Sequence, residues 1–398
     1  MEKKTNRIEY QIIKKEQDKE LFWGVCVLCI IGFMAVVSAS LPMCLTKHIN
    51  AFHYVFQHVM WLILGATGLY WFSNQDYRSL KKYTLIFAFS IIALLLIIKF
   101  TPLGVTINGA KRWLNLGFFQ FQPSEFSKIA IIMLLANLLS FKKNLLEQSW
   151  PKYVVTMLLM IFIVFKQPNL SMTVILMAIS FCMYVCSGKT LKFIYIGLAL
   201  ILCLFTMVKT NMIDLTKFID PYQVDRLVNW KNPNADILGD GYQVFHSRIA
   251  IASGFIFGEG FGASKEKLGW LPEAHTDFIF SVIAEEMGFI GCFFVILLFL
   301  LVFHRGIFIA FKCPDLYGRL LATGITVSIT IQAFFNISVA TAFLPATGIT
   351  LPFISYGGSS LFASLCMIGI LLNISKTQFK RIGICQTNQK QTMKLYYL

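Results

Sequence analysis

Charge is what this chain has least of. Only 14% of its 398 residues are charged, and acids are the scarcer sign, with 20 Asp and Glu against 35 Lys and Arg. A soluble domain has no way to cover a composition that is 57% hydrophobic, so the water-soluble classes are excluded. The net charge of +15 would point to nucleic acid in a soluble chain; here it reads as topogenic, and no nucleic-acid partner is expected. The ten cysteines stand singly in apolar segments, and none falls in the polar stretch from Asn211 to Thr276, which excludes a disulfide framework. Cys26 and Cys29 form a CxxC, but inside a hydrophobic helix they read as small packing residues. His48, His53, His58, His246 and His304 show no metal-ligand spacing. The Gly258–Gly262 run GEGFG follows no strand and is no dinucleotide loop. No cleavable signal peptide is expected, because the first apolar run is long and follows a charged tail.

What the chain has is long apolar runs. They fall at 21–41, 54–72, 83–100, 124–140, 153–167, 170–187, 193–210, 277–303, 320–340 and 357–375. Ten runs of this kind predict an all-α, polytopic integral membrane protein with ten transmembrane helices. The expected organisation is a tail at 1–20, a membrane domain at 21–375 with one large extracytoplasmic loop at 211–276, and a tail at 376–398. With the N-terminus inside, the cytoplasmic segments hold 22 Lys and Arg against 6 outside, once the seven between Lys209 and Lys267 are set aside as a loop too long to count. Both termini are therefore expected in the cytoplasm.

Three polar segments then face outward. In the first, Lys111 and Arg112 beside Trp113 read either as an interfacial anchor or as anion ligands. Gln122-Pro123-Ser124-Glu125 opens a helix, with proline near its first position and an acid in its first turn. Lys128, one turn after Ser124, either snorkels to water or pairs with an acid such as Asp277. The second segment turns at Asp220-Pro221 and at Gly239–Gln243, and Arg248 and Lys265 are solvated cations or anion ligands. In the third, 344–360, two prolines and Gly357-Gly358 demand an irregular path between two helices. Irregular backbone at membrane depth is tolerated only against protein or a water-filled cavity, and that cavity is a candidate binding site.

The second segment ends in LPEAHTDFIFSVIAEEMGFIG, residues 271 to 291. Pro272 stops what precedes it, and Thr276 or Asp277 is positioned to cap the helix that follows. Asp277 should sit where that helix meets water. Either it is an N-cap carboxylate or it does chemistry, with His275 two residues away to orient it or merely to serve the loop. Glu285 and Glu286 lie about two turns deeper, at about 1.5 Å per residue, and read as buried structural partners.

Taken together, GAKRWLNLGFFQFQPSEFSK, QPNLS, GDGYQ, GFIFGEGFGAS, LPEAHTDFIFSVIAEEMGFIG and LPATGITLPFISYGGSSL resemble the SEDS family (shape, elongation, division and sporulation), ten-helix peptidoglycan polymerases. The motifs run from Gly109 to Leu361, and KLxxLPEAHTDFIF with TLPFISYGGSSL looks more like the division type than the elongation type. Asn169, Ser171 and His246 stand where the family more often has Asp, Gly and Gln. The resemblance implies a glycosyltransferase that joins lipid II units at the outer leaflet and releases undecaprenyl diphosphate. Asp277 matches the family's essential aspartate, proposed as general base. The matching motifs nominate Lys111, Arg112, Trp113, Gln122, Glu125, Lys128, Gln243, His275, Ser355, Tyr356, Gly357 and Gly358 as substrate-binding residues. Charge on the leaving diphosphate would be met by Arg112, Lys111 and Lys128, or by a divalent cation (Mg2+ or Mn2+). A class B penicillin-binding protein is the implied partner, with other divisome membrane proteins, in the inner membrane at the division septum. The alternatives are an elongation-type polymerase, a lipid II flippase and a non-catalytic scaffold.

Overall fold

The structure, a computed structural model, describes residues 5–14, 16–46, 48, 50–107, 110–115, 120–140, 146–167, 169–188, 230 and 241–387. Nine of the ten expected runs form helices in this set: α1 (Lys19–Thr46), α2 (His53–Asn74), α3 (Leu80–Phe100), α4 (Pro123–Ser140), α5 (Leu146–Phe165), α6 (Leu170–Cys186), α8 (Ile279–Lys312), α9 (Leu316–Ala340) and α10 (Gly358–Ser375). All but α5 and α6 are long and apolar enough to cross a membrane, seven in all, and the two exceptions are shorter apolar helices. The protein is an integral membrane protein. The run at 193–210 and the turns at Asp220 and Gly239 lie outside the described residues. One further helix, α7 (Tyr242–Ser253), occupies part of the segment expected as loop.

Burial sorts the helices. Almost every residue of α4 and α10 is buried, whereas α2 exposes Phe56, Ile63, Tyr70 and Trp71, the pattern of a helix with one lipid-facing side. The helices α2 and α10 pack tightly on each other, and small residues explain it. A Cβ on Gly369 would lie 2.5 Å from the Leu69 carbonyl oxygen, and one on Gly358 would lie 2.1 Å from Nε1 of Trp61.

Strands supplement this helical bundle. Between α3 and α4 the chain folds as a small antiparallel sheet of β2 (Gly104–Ile107), β3 (Ala110–Asn115) and β4 (Gln120–Phe121), in that order. The two tails also leave the all-helical expectation: β1 (Thr5–Lys14) pairs antiparallel with β5 (Thr377–Thr387), Thr5 opposite Thr387 and Lys14 opposite Thr377. Period-two stretches such as Ile8, Tyr10 and Ile12 favour extended chain once a partner strand is supplied.

The helix α8 is broken. Gly288 has φ 64 and ψ −164, so the turn there cannot close its own hydrogen bonds. The segment after α7 replaces them. Glu259 and Gly260 donate their N–H groups to the carbonyls of Glu285 and Glu286, at 2.9 and 3.1 Å. Phe289 and Ile290 donate to the carbonyls of Phe255 and Ile256, at 2.9 and 3.2 Å. The side chains of the two glutamates hold the same region. Glu285 accepts from Ser264 Oγ at 2.5 Å and from the Lys265 N–H at 2.8 Å, and Glu286 accepts from Lys267 Nζ at 2.6 Å and Ser38 Oγ at 2.5 Å. Both acids are thus paired and structural, as their depth in the span suggests.

Candidate active site

The turn before α8 does not end as the sequence suggests. Glu273 adopts the left-handed conformation, φ 54, and its carbonyl accepts from the N–H groups of Thr276, Asp277 and Phe278. Thr276 bends its hydroxyl back to the Glu273 carboxylate at 2.9 Å rather than forward onto the helix. Phe278 is the N-cap residue, and its own side chain makes no capping hydrogen bond. Thr276 therefore does not cap α8, because its hydroxyl is turned back to Glu273.

Asp277 is half-buried at the start of α8. Its carbonyl accepts from Nδ2 of Asn336 on α9 at 2.7 Å, and the same nitrogen donates to the Ile349 carbonyl at 2.7 Å. One amide thus ties the Asp277 turn to the segment between α9 and α10. That segment comes close to the carboxylate itself, since a Cβ built on Gly348 would lie 3.4 Å from Asp277 Oδ2. As the two prolines imply, it has no regular structure. Ser355 Oγ accepts from the Leu351 N–H at 2.8 Å, and Phe353 is fully buried in a left-handed conformation, φ 65. Strain of this kind persists only where the surroundings over-determine it. Here Gly32 of α1 provides the room, because a Cβ there would meet the Phe353 carbonyl oxygen at 2.4 Å.

His275 and Tyr356 close the other side. The Tyr356 N–H donates to the His275 carbonyl at 2.9 Å, and the ring of His275 packs against Tyr54 and Tyr356 with centroids 5.2 and 5.5 Å apart. The Tyr356 hydroxyl donates to Gln57 Oε1, and burial raises its phenol above the usual range, which keeps it a donor. Gly357 precedes α10 as its N-cap residue. Gly358 begins α10 where only a missing Cβ lets Trp61 approach.

Lys128 is fully buried and does not snorkel. It donates to Glu125 Oε2 at 2.7 Å and to Gln332 Oε1, so its contacts are with these rather than with Asp277. Gln332 Nε2 donates onward to the Thr350 carbonyl at 3.0 Å and to Ser360 Oγ at 3.2 Å. Gln122 joins this region through its N–H, which donates to Ser359 Oγ at 3.0 Å. Gln332 and Asn336 are one turn apart on one face of α9, so this helix links the Lys128 network to the Asp277 turn. The sequence reading passed over both. The available signal was two amides at i, i+4 within an otherwise apolar span, a spacing that points them into the bundle together.

The remaining expected residues lie elsewhere. Lys111 Nζ donates to the Thr101 carbonyl at 2.6 Å, Arg112 Nε donates to the Gln167 carbonyl at 3.2 Å, and Trp113 pairs with Val105 across the small sheet. Gln243 is in the first turn of α7, which packs on α8 through Ser247 and Ser281. Among the described residues, no three of His, Cys, Asp and Glu converge as a metal-binding group.

A multi-helix membrane bundle with a carboxylate held at one end between a turn, an amide clamp and an irregular loop describes a known class. The chain belongs to the FtsW/RodA/SpoVE family of cell cycle proteins, whose profile matches residues 19–380. It is 36% identical over 363 residues to a probable peptidoglycan glycosyltransferase FtsW of Geobacter sp. (strain M18), covering 89% of this chain and 95% of that one. Stage V sporulation protein E of Bacillus subtilis (strain 168) is also 36% identical, over 88% of this chain and 94% of that one. Among solved structures, a chain of a peptidoglycan synthase complex that coordinates polymerization and crosslinking superposes with a TM-score of 0.72 at 28% identity, covering 90% of this chain and 97% of that one. The rod shape determining protein RodA of Thermus thermophilus superposes with a TM-score of 0.64 at 25% identity, covering 90% and 96%.

Proposed function

We propose that this chain is a peptidoglycan glycosyltransferase that polymerises lipid II into β-1,4 glycan strands, with Asp277 as general base. The observation that carries the reading is the Asp277 carboxylate, half-buried at a helix start and facing the irregular loop at Gly348. Asp277 takes the proton from the 4-hydroxyl of the acceptor GlcNAc as that oxygen attacks the anomeric carbon of the growing chain. The bond to undecaprenyl diphosphate breaks, and the α-linked donor inverts to a β product. Diphosphate leaves with its electron pair and needs charge stabilisation more than a proton. Lys111 and Arg112 are the cations nominated for this. The relatives named as probable peptidoglycan glycosyltransferases support the activity.

In this reading both termini are cytoplasmic, and the Asp277 end of the bundle faces the outer leaflet, where the sugars of a prenyl-linked substrate ride just above the lipid. The organisation remains a membrane domain over 21–375 between two tails. The solved complex that couples polymerization to crosslinking supports a transpeptidase partner of the class B penicillin-binding type. Similarity to FtsW supports a division role at the septum, alongside other divisome membrane proteins. Transport of lipid II finds less support, because the buried charges of α4 and α8 (Glu125, Lys128, Glu285 and Glu286) lie in the opening turns of those helices, whereas a flippase needs a polar path across the whole bilayer.

Asp277→Ala in the purified complex tests the reading with labelled lipid II and product length on a gel. Loss of polymer with the transpeptidase still bound is expected, since removing a general base costs about 10²–10⁴-fold. Polymer made at the wild-type rate would remove Asp277 from the mechanism.

A further inference from the structure

The segment that repairs the break in α8 ends in an apolar tip that stands exposed among the described residues. Phe255 is 81% exposed and Phe257 80%, with Ile256 and Phe261 exposed beside them. In solution such a tip would be an aggregation hazard. Its level along α8 is set by the hydrogen bonds already described. Glu259 and Gly260 pair with Glu285 and Glu286, while Phe255 and Ile256 pair with Phe289 and Ile290, four residues further along the helix. At about 1.5 Å per residue, the apolar tip lies about 6 Å deeper than Glu259, and about 15 Å along α8 from its first residue. The polar groups follow the same gradient. Glu259 and Lys265 form an exposed ion pair at 3.8 Å on the shallow side, and no charge lies at the deep tip between Phe255 and Gly258. The tip is also continuous with the exposed face of α8, where Phe289, Ile290 and Phe293 lie on a membrane-spanning helix.

We propose that Phe255, Ile256 and Phe257 form a wedge seated among the acyl chains of the outer leaflet, and that this wedge sets the depth of the helix start carrying Asp277. The proposal rests on the orientation and the catalytic role given above. The wedge is joined to α8 by backbone bonds on both sides of Gly288, and its descending arm, α7, packs on the first turns of α8. Gly254 seats directly against the Ala284 carbonyl, where a Cβ would lie 1.9 Å from the oxygen. Height of the wedge in the bilayer therefore becomes height of Asp277. A base that must meet a sugar held on a prenyl diphosphate needs a fixed distance from the headgroup plane, and a misplacement of about 1 Å costs about 10²-fold in rate.

The test is photo-crosslinking from p-benzoylphenylalanine at position 257, with the full chain and its transpeptidase partner in lipid nanodiscs. The expected product is an adduct one phospholipid heavier by mass spectrometry. Crosslinks to the partner alone, or no adduct at all, overturn the proposal. The adduct is read without turnover, so failure of the Asp277 reading leaves it unchanged, and its absence leaves the Asp277 reading standing. For the depth function, Phe257→Asp is expected to lower polymerisation about tenfold or more, while Phe257→Leu stays within about twofold. Full activity of Phe257→Asp would overturn that part. Should Phe257→Asp fail to fold, the benzoylphenylalanine and leucine variants still decide, because equal loss in Phe257→Leu would also overturn it.

Discussion

Lys128→Met, with Glu125 left in place, would strand a carboxylate in the interior of the bundle. The two side chains are almost wholly buried and 2.7 Å apart, and Lys128 also supplies a donor to Gln332 Oε1. Removing one partner of a buried pair costs about 3–5 kcal/mol, because the remaining charge keeps its desolvation penalty without the attraction that offset it. The Gln332 carbonyl, left without that donor, adds about 1–3 kcal/mol. Together these make about 4–8 kcal/mol, and at about 2 °C per kcal/mol, the value for large domains, the unfolding midpoint falls by about 8–16 °C. The double variant Glu125→Gln with Lys128→Met removes both charges and is expected to recover at least half of that loss. Thermal unfolding of the detergent-solubilised chain, followed by fluorescence for wild type, both singles and the double, measures the coupling. A Lys128→Met midpoint equal to that of the double variant would refute the argument, since it would mean that water reaches Glu125. Lipid II polymerisation by the stable double variant then asks a separate question, whether the pair also serves the reaction.

Other substitutions test the remaining joints. Asn336→Ala removes both 2.7 Å bonds that hold the Asp277 turn and the irregular Ile349 segment together, so polymer yield should fall about 10–100-fold while the complex still assembles. Gly288→Ala places a Cβ 2.4 Å from the Gly258 nitrogen at a positive φ, and a loss of about 1–3 kcal/mol should appear as a lower unfolding midpoint. Gly358→Ala collides with Trp61 and should destabilise the α2–α10 pair, with Trp61→Leu in the same chain restoring part of the midpoint. Gly348→Val puts branched bulk beside the Asp277 carboxylate and should lower turnover without lowering the midpoint, which gel-resolved polymer length and unfolding read separately.

Much of the bundle was legible because lipid permits few backbone solutions: an apolar run of span length is a helix, and nine such runs are helices here. The third polar segment was legible as irregular for a similar reason, since its prolines and Gly357-Gly358 forbid regular structure. Contacts made across the fold were not legible. Lys128 had an acid three residues before it, yet the sequence offered Asp277 equally well, and only the packing of α4 on α9 decides between the two. Thr276 had the composition of a cap, but a left-handed Glu273 drew its hydroxyl back, and nothing local announces a positive φ at a glutamate. Gln332 and Asn336 went unremarked although their i, i+4 spacing puts them on one helix face, because their meaning lies in the neighbours they reach across the bundle. The strands of 104–121 and of the two tails needed partners to be stable, and hydrophobic runs say nothing of partners.

The pairing of Thr5–Lys14 with Thr377–Thr387 also bears on biosynthesis. The first of these strands leaves the ribosome well before the second and has no mate until every residue between them has followed it. The ribbon is therefore the last stitch sewn, after every membrane segment before it has been threaded. Truncation before residue 377 would leave the opening strand permanently single, and a nascent chain stalled there would present a bare edge to the cell's quality-control machinery.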